Sequence, residues 1–280
     1  MTSQFKGGAS LLLFLTICTA VGAGVLLTGR EWRFPESILE SLPYALALLF
    51  AVGAHAAGHY LSARLHKVKA SFPYFIPHPG ISGTFGAFTK MHWPIVDRSA
   101  LIRIFAIGPI AGFCASWLTL IIGLLLSNVQ DLDTTHTSIT LGDSLITYVT
   151  SLAIFAKLPP SKDIMLHPIA LAGWIGLNYN NWHLFPIGRL DGGRLAYGLW
   201  GFRATRLLSY IVIGTFMLVG IIRGGWFWMA IFGMCCLYRF RDQYPSDTYE
   251  LPLTRSMIIL SLTSAIIFVI SFAPVPISYQ

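Results

Sequence analysis

Two histidines four residues apart, His55 and His59, stand in the otherwise apolar run FAVGAHAAGHYLSARLHK at 50–67. On a helix an i, i+4 pair stacks on one face with Cβ atoms about 5 to 6 Å apart. Both imidazoles can then close on one metal, at about 2.0 to 2.1 Å from each ring nitrogen for zinc. The plainer use of such histidines is a hydrogen bond to a neighbouring helix, and spacing alone does not separate the two. Ionisable groups within a membrane are costly and usually functional, so a third ligand decides the matter. Asp191, in NNWHLFPIGRLDGGRLAYG at 180–198, is the candidate and the only acid between Asp163 and Asp242. Pro186 interrupts the helix before it, and Gly192 and Gly193 behind it permit close backbone approach, so the carboxylate can turn inward. Its alternative is an interfacial pair with Arg189 or Arg194. Between the two histidines, position 56 could hold a side chain that does chemistry; it is alanine.

The elements that must bring these residues together lie in a membrane. Of 280 residues 55% are hydrophobic and only 11% charged, with mean hydropathy +0.66, too few charges to cover a water-soluble domain. A helix needs about 20 residues to cross the hydrocarbon, and uncharged runs of that order occupy 9–28, 43–63, 104–129, 164–188 and 256–280. Two shorter runs, 207–222 and 226–238, flank Arg223, Gly224 and Gly225 and read as a tight helical hairpin. The expected fold is an all-α polytopic membrane protein of about six to seven transmembrane helices, with a small membrane-associated β-hairpin after the second. It forms one integral-membrane domain over 1–280: a core at about 43–206, an extra N-terminal helix within 1–42, and C-terminal helices in 207–280. Lys6 before the first run, and Ala20, Ala23 and Gly24 near its end, resemble a cleavable leader. The run is longer than a usual signal core, so it is read as a retained helix.

Between the second and third runs, KASFPYFIPHPGISGTFGAFTKMHW at 69–93 carries Pro73, Pro77 and Pro79 and cannot be one helix. A strand pair closed by the HPGISG turn fits it, packed against helices because unpaired backbone does not face lipid. The loop 130–163 is polar, with 145–155 an amphipathic interfacial stretch. Net charge is +7, but the basic residues sit at membrane ends and give no nucleic-acid surface. With a cytoplasmic amino terminus and seven crossings, fourteen of the 19 Lys and Arg fall inside, as the positive-inside rule asks. Outside are Arg30, Arg33, Lys157, Lys162 and Arg223. That topology puts the end of the His55/His59 helix and Asp191 on one side. Cys18, Cys114, Cys235 and Cys236 lie in apolar runs without metal-binding spacing and read as packing residues.

Taken together, HAAGH at 55–59 and LDGG at 190–193 resemble the site-2 protease family of intramembrane zinc metalloproteases, which carry His-Glu-x-x-His on one membrane helix and Leu-Asp-Gly on a later one. GPIAG at 108–112 and PYFIPHPGISGTFGAF at 73–88 belong to the same likeness, which extends from about residue 43 onward. The resemblance implies that His55, His59 and Asp191 bind Zn2+ and leave a fourth position for water. Two neutral imidazoles and one carboxylate keep such a site at about +1, which lowers the pKa of water. It also implies that the residue after the first histidine is the glutamate that transfers protons. Here Ala56 stands in that catalytic position, so the chain is expected to be an inactive variant. Natural loss or a deliberate Glu-to-Ala replacement accounts for this, and retention of all three ligands favours replacement.

The same resemblance assigns substrate contacts. His183 stands three residues before Pro186, where relatives often have asparagine, and is expected to donate to substrate or to an oxyanion; an interhelical hydrogen bond is its alternative. The segment 83–88, with Phe85 and Gly86, is expected to offer a strand edge to an unwound substrate helix. Substrates are expected to be single-pass membrane proteins in the lipid bilayer of a bacterial plasma membrane, with the amino terminus and active site toward the cytoplasm. PDZ or CBS appendages are not expected. His66 lies beyond the membrane, while His78, His92, His136 and His167 are expected to be merely solvated. Three other readings stay open: a natural pseudoprotease that binds membrane proteins without cleavage, a metal transporter, which usually shows repeated halves, and a haem-binding bundle using His55 and His183.

Overall fold

The computed structural model describes residues 2–27, 33–80, 82–91, 95, 97–131, 139–159, 161–223, 226–238, 252–274 and 277–279. Eight helices and six short strands follow in order: α1 (Thr2–Leu27), α2 (Glu36–Leu65), β1 (Tyr74–Pro77), β2 (Thr84–Phe88), α3 (Arg98–Leu125), β3 (Asn128–Asp131), β4 (Ile139–Leu141), α4 (Leu145–Phe155), β5 (Lys162–Met165), α5 (Pro168–His183), α6 (Asp191–Arg223), α7 (Phe227–Leu237), α8 (Arg255–Ser271) and β6 (Ile277–Tyr279). The strands form three antiparallel pairs, β1 with β2, β3 with β5 and β4 with β6. His92, Arg239, Arg241 and His136 lie outside the described residues.

Four helices are long and apolar enough to cross a membrane: Gly8–Leu27, Glu36–Leu65, Arg98–Leu125 and Asp191–Ile222. Of the expected six to seven crossings, four are met by length and composition among the described residues. The reason is visible in the run 164–188. Its lack of charge is shared by the end of β5, the 16-residue α5 and the turn that follows, and α5 rises only about 24 Å at 1.5 Å per residue. Helix α8, of 17 residues, is short for the same reason, its run ending in β6, and α7 has 11 residues. The expected hairpin at 207–238 is present as the end of α6 against α7, but α6 starts much earlier, at Asp191, and is kinked at Gly201, a non-helical residue with φ 79°.

Helices α2, α3 and α5 form the centre. Small residues set how closely they meet: a Cβ on Gly58 of α2 would lie 2.9 Å from Gly108 Cα of α3, so the two backbones cross nearly in contact, the arrangement that small residues four apart allow in membranes. Leu101, Ile104, Phe105 and Leu177 are fully buried in one apolar cluster, and Tyr44 and Leu48 in a second that α2 shares with α1. The β1–β2 hairpin packs on helices, as its backbone requires. Thr19 Oγ1 donates to Gly83 O at 2.7 Å, and Tyr44 Oη to Ser82 O at 3.2 Å, so its tip is held between α1 and α2. The polar stretch 130–163 contains α4, closed at its start by a reciprocal Ser144/Thr147 capping box.

Candidate metal centre

Helix α2 presents His55 and His59 one turn apart, 1% and 6% exposed. Asp191 is the first residue of α6 and 3% exposed. Its position depends on the turn after α5. Gly192 packs with no room for a Cβ against Leu184 O, and Gly193 likewise against Gly188 O, so the chain folds tightly back on itself. Ser209 accepts the Gly188 N–H at 3.0 Å and so holds that turn against the body of α6. The carboxylate then points at α2: His55 Nε2 lies 3.1 Å from Asp191 Oδ2, His59 Nε2 3.2 Å from the same oxygen, and the two Nε2 atoms are 3.0 Å apart.

Three atoms mutually 3.0 to 3.2 Å apart are spaced like ligands: zinc at about 2.0 to 2.1 Å from tetrahedral donors gives a donor–donor edge of about 3.3 Å. The tautomers support the same conclusion. His59 Nδ1–H donates to Ile104 O at 2.9 Å, and His55 Nδ1–H donates to Asn180 Oδ1 at 2.8 Å. In the neutral rings both Nε2 atoms therefore carry lone pairs aimed at a carboxylate oxygen and at each other, an arrangement that repels unless a cation lies among them. Outer hydrogen bonds of this kind are what fix metal-binding histidines. The donor set fits a divalent cation of zinc type.

Arg194, the alternative partner of Asp191, has Nη1 3.9 Å from Oδ1 while its guanidinium stacks 4.3 Å over Phe105; the other carboxylate oxygen faces the histidines. Ala56 is completely buried next to this cluster, and its carbonyl accepts from Thr89 Oγ1 at 3.3 Å, which draws the chain leaving β2 alongside the histidine helix. His183 ends α5, and its Nδ1 lies 3.3 Å from Asp191 Oδ2.

Phe85 is 64% exposed and is the extra residue where the β1–β2 register shifts, between the Ile76↔Gly86 and Pro77↔Thr84 pairs. Gly86, at φ 105°, lies against the ring of Tyr179, which leaves no space for a Cβ. Tyr179 Oη also accepts the Ala87 N–H at 3.2 Å and donates to Ala87 O at 3.0 Å. The edge expected to be open to a peptide is thus covered by a tyrosine of α5.

Sequence reasoning passed over Gly112, Asn180 and Tyr179. A Cβ on Gly112 would meet Asn180 Oδ1 at 2.6 Å and His55 Cβ at 2.8 Å, so the second glycine of GPIAG makes room for the His55–Asn180 hydrogen bond. The signal was two small residues four apart in an apolar helix. His66 caps α2, donating from Nδ1 to Ser62 O at 2.9 Å, and takes no part in the cluster. His78 and His167 are more than solvated: His78 bonds Ser82 Oγ at 3.0 Å and lies tilted against the Phe85 ring, and His167 caps α5 by accepting the Ile169 N–H. All four cysteines are unpaired.

The family model described as peptidase family M50 matches residues 43–223. Over 194 residues the chain is 33% identical to "Probable zinc metalloprotease EGY1, chloroplastic" of Oryza sativa subsp. japonica, covering 67% of this chain and 33% of that one. The Arabidopsis thaliana protein of the same name is 33% identical over 193 residues, 66% of this chain and 35% of its own. "Probable zinc metalloprotease EGY2, chloroplastic" of Arabidopsis thaliana is 33% identical over 179 residues, 61% and 31% of the two chains. The chain thus spans about a third of the length of these curated relatives. No solved structure matches. These relatives are chloroplastic by name, so they lend no support to the expected bacterial plasma membrane.

Proposed function

The chain belongs to peptidase family M50, and from that premise we propose that it is an intramembrane zinc metalloendopeptidase scaffold for cutting transmembrane segments of membrane proteins, in a form that lacks its proton-transfer group. The observation that carries this reading is the trio His55, His59 and Asp191, whose facing atoms lie 3.0 to 3.2 Å apart. These three hold the zinc ion. When bound, it supplies Lewis acidity toward a scissile carbonyl and lowers the pKa of water.

Everything else falls to the chain's own side chains. Asn180 and the Ile104 carbonyl keep both imidazoles in the tautomer that offers Nε2 inward, and Asp191 adds the negative charge that balances part of the cation's. Helices α2, α3, α5 and α6 exclude bulk water, which strengthens each of these interactions. A substrate helix must unwind to expose a carbonyl, and β2 offers its freed backbone replacement partners at Phe85 to Ala87 once Tyr179 yields the Ala87 groups. Ala56 occupies the place of the family's glutamate. Its methyl group neither takes nor gives a proton, so the turnover that depends on such transfer, typically about 10²- to 10⁴-fold, is missing. The core 43–206 does this work, flanked by an N-terminal helix and by C-terminal helices. The chain makes six to seven crossings if α5, α7 and α8 are completed by neighbouring residues, with the basic loops, the amino terminus and the metal cluster on one side.

A haem between His55 and His183 is disfavoured, because the rings meet edge to face at 4.8 Å and leave no room for a porphyrin. The transporter and pseudoprotease readings have no comparison in their favour. The test restores the base. Zinc-loaded Ala56→Glu and Ala56→Glu/His183→Asn variants, reconstituted with single-pass membrane substrates, are expected to include at least one that cleaves within the membrane segment. If both bind zinc and neither cleaves, the protease assignment fails.

A further inference from the structure

His183 has two possible employments, toward substrate or toward the metal, and the geometry favours the second. Its Nδ1 is 3.3 Å from Asp191 Oδ2, the same oxygen that faces His55 and His59. That separation equals the edge of about 3.3 Å expected between two donors on one tetrahedral zinc. One donor atom each from His55, His183 and Asp191 lies within 4.8 Å of the others. This second trio shares His55 and Asp191 with the first, so the two meet on the Asp191 oxygen that faces all three imidazoles.

The ring is also held where it is. It packs edge to face on His55 at 4.8 Å between centroids and tilts against Tyr179 at 4.6 Å, and Tyr179 is itself tied to both backbone groups of Ala87. Turning His183 toward a peptide on β2 would require both contacts to break. The chemistry agrees, since imidazole is a preferred zinc donor.

We propose that His183 is a fourth protein ligand, so that His55, His59, His183 and Asp191 close the coordination shell of the bound divalent cation and leave it no exchangeable position. This rests on the reading of the other three residues as ligands and departs from the open shell that hydrolysis requires. Three-ligand sites keep a labile position; four-ligand sites hold their metal for structure.

The test uses the full-length chain in detergent, stripped of metal and titrated with Co2+, whose visible absorption reports its donors. Wild-type protein is expected to bind one Co2+ with a four-coordinate spectrum that azide does not change. His183→Asn should still bind one Co2+, about 100-fold more weakly, since loss of an outer hydrogen-bond partner alone costs about 10- to 100-fold, and its spectrum should respond to azide. His183→Cys should regain affinity and show a thiolate-to-cobalt charge-transfer band that the Asn variant lacks. This band is a positive readout that a folding defect cannot mimic. The proposal is overturned if His183→Asn binds Co2+ as tightly as wild type, the Cys variant gives no new band, and azide perturbs wild type. In that event 1:1 binding that His55→Ala abolishes would leave the three-ligand reading intact. Absence of any Co2+ or Zn2+ binding by wild type would remove both.

Discussion

Replacing Gly112 with alanine separates the stability of this membrane fold from its capacity to hold a metal. Glycine in a helix interior is about 1 kcal/mol less favourable than alanine, so on backbone grounds the change should stabilise α3. The new methyl, however, would stand 2.6 Å from Asn180 Oδ1, 2.8 Å from His55 Cβ and 3.0 Å from His55 Nδ1, against a normal carbon contact of about 3.5 to 4.0 Å. It is a wedge driven at the 2.8 Å hydrogen bond that sets the His55 tautomer. Overpacking of this size costs about 1 to 3 kcal/mol, of which the helix gain offsets about 1 kcal/mol, so the metal-free protein should lose no more than about 2 kcal/mol. Metal binding has no such offset. Losing the outer partner of a ligand histidine typically lowers affinity about 10- to 100-fold, or about 1.4 to 2.8 kcal/mol at 1.4 kcal/mol per tenfold. Zinc affinity by competition with a chromophoric chelator, set beside the thermal unfolding of the metal-free protein, reads the two effects separately. Gly214→Ala is the control, since nothing lies within 4 Å of a Cβ there. Gly112→Ala with wild-type zinc affinity would refute the claim that α3 holds the His55 ligand in place; a loss of stability as large as the loss of affinity would show that the wedge acts on the fold and not on the site.

Asn180→Leu removes the acceptor for His55 Nδ1–H and should weaken zinc about 10- to 100-fold, whereas Asn180→Asp, with a stronger acceptor, should hold it at least as well; chelator competition on both variants decides. Tyr179→Phe deletes the hydroxyl that occupies Ala87 N–H and C=O. In the Ala56→Glu/His183→Asn background it should raise cleavage of a single-pass substrate severalfold, the two exchanged hydrogen bonds being worth about 0.5 to 1.5 kcal/mol each, with zinc content unchanged. Cleavage that falls instead would mean that Tyr179 supports the site and does not cover the edge.

The convergence of the trio was legible because helical spacing is local: His55 and His59 share a face whatever surrounds them, and a lone acid behind a helix-breaking proline in an apolar run has few other uses. The hairpin was legible from its prolines. What escaped depended on which faces of distant helices meet. Nothing in the order of residues says that Gly112 comes up against the His55–Asn180 bond, or that Tyr179 crosses to the edge of β2, 92 positions earlier. How a charge-free run is divided was not legible: within 164–188 the chain spends residues on a strand end and on the turn before Asp191. Charge counts see the solvent each segment meets, and only the fold shows how a segment is divided.

On the reading proposed above, Ala56 and His183 remove different requirements of one reaction, and this makes their joint replacement more informative than either alone. Ala56→Glu supplies a proton acceptor but, with His183 on the cation, leaves it nothing to act on; His183→Asn frees a position but leaves no base. Each single variant should therefore cleave near background, and the double variant should exceed both by about the 10²- to 10⁴-fold that acid–base catalysis contributes. Such a cycle is strongly non-additive, as expected of residues that act as a unit. A single-pass reporter in liposomes, with zinc stoichiometry measured on every variant, gives all four corners. Equal cleavage by Ala56→Glu and the double variant would show that His183 leaves the reactive position open, and would return it to the substrate side of the site.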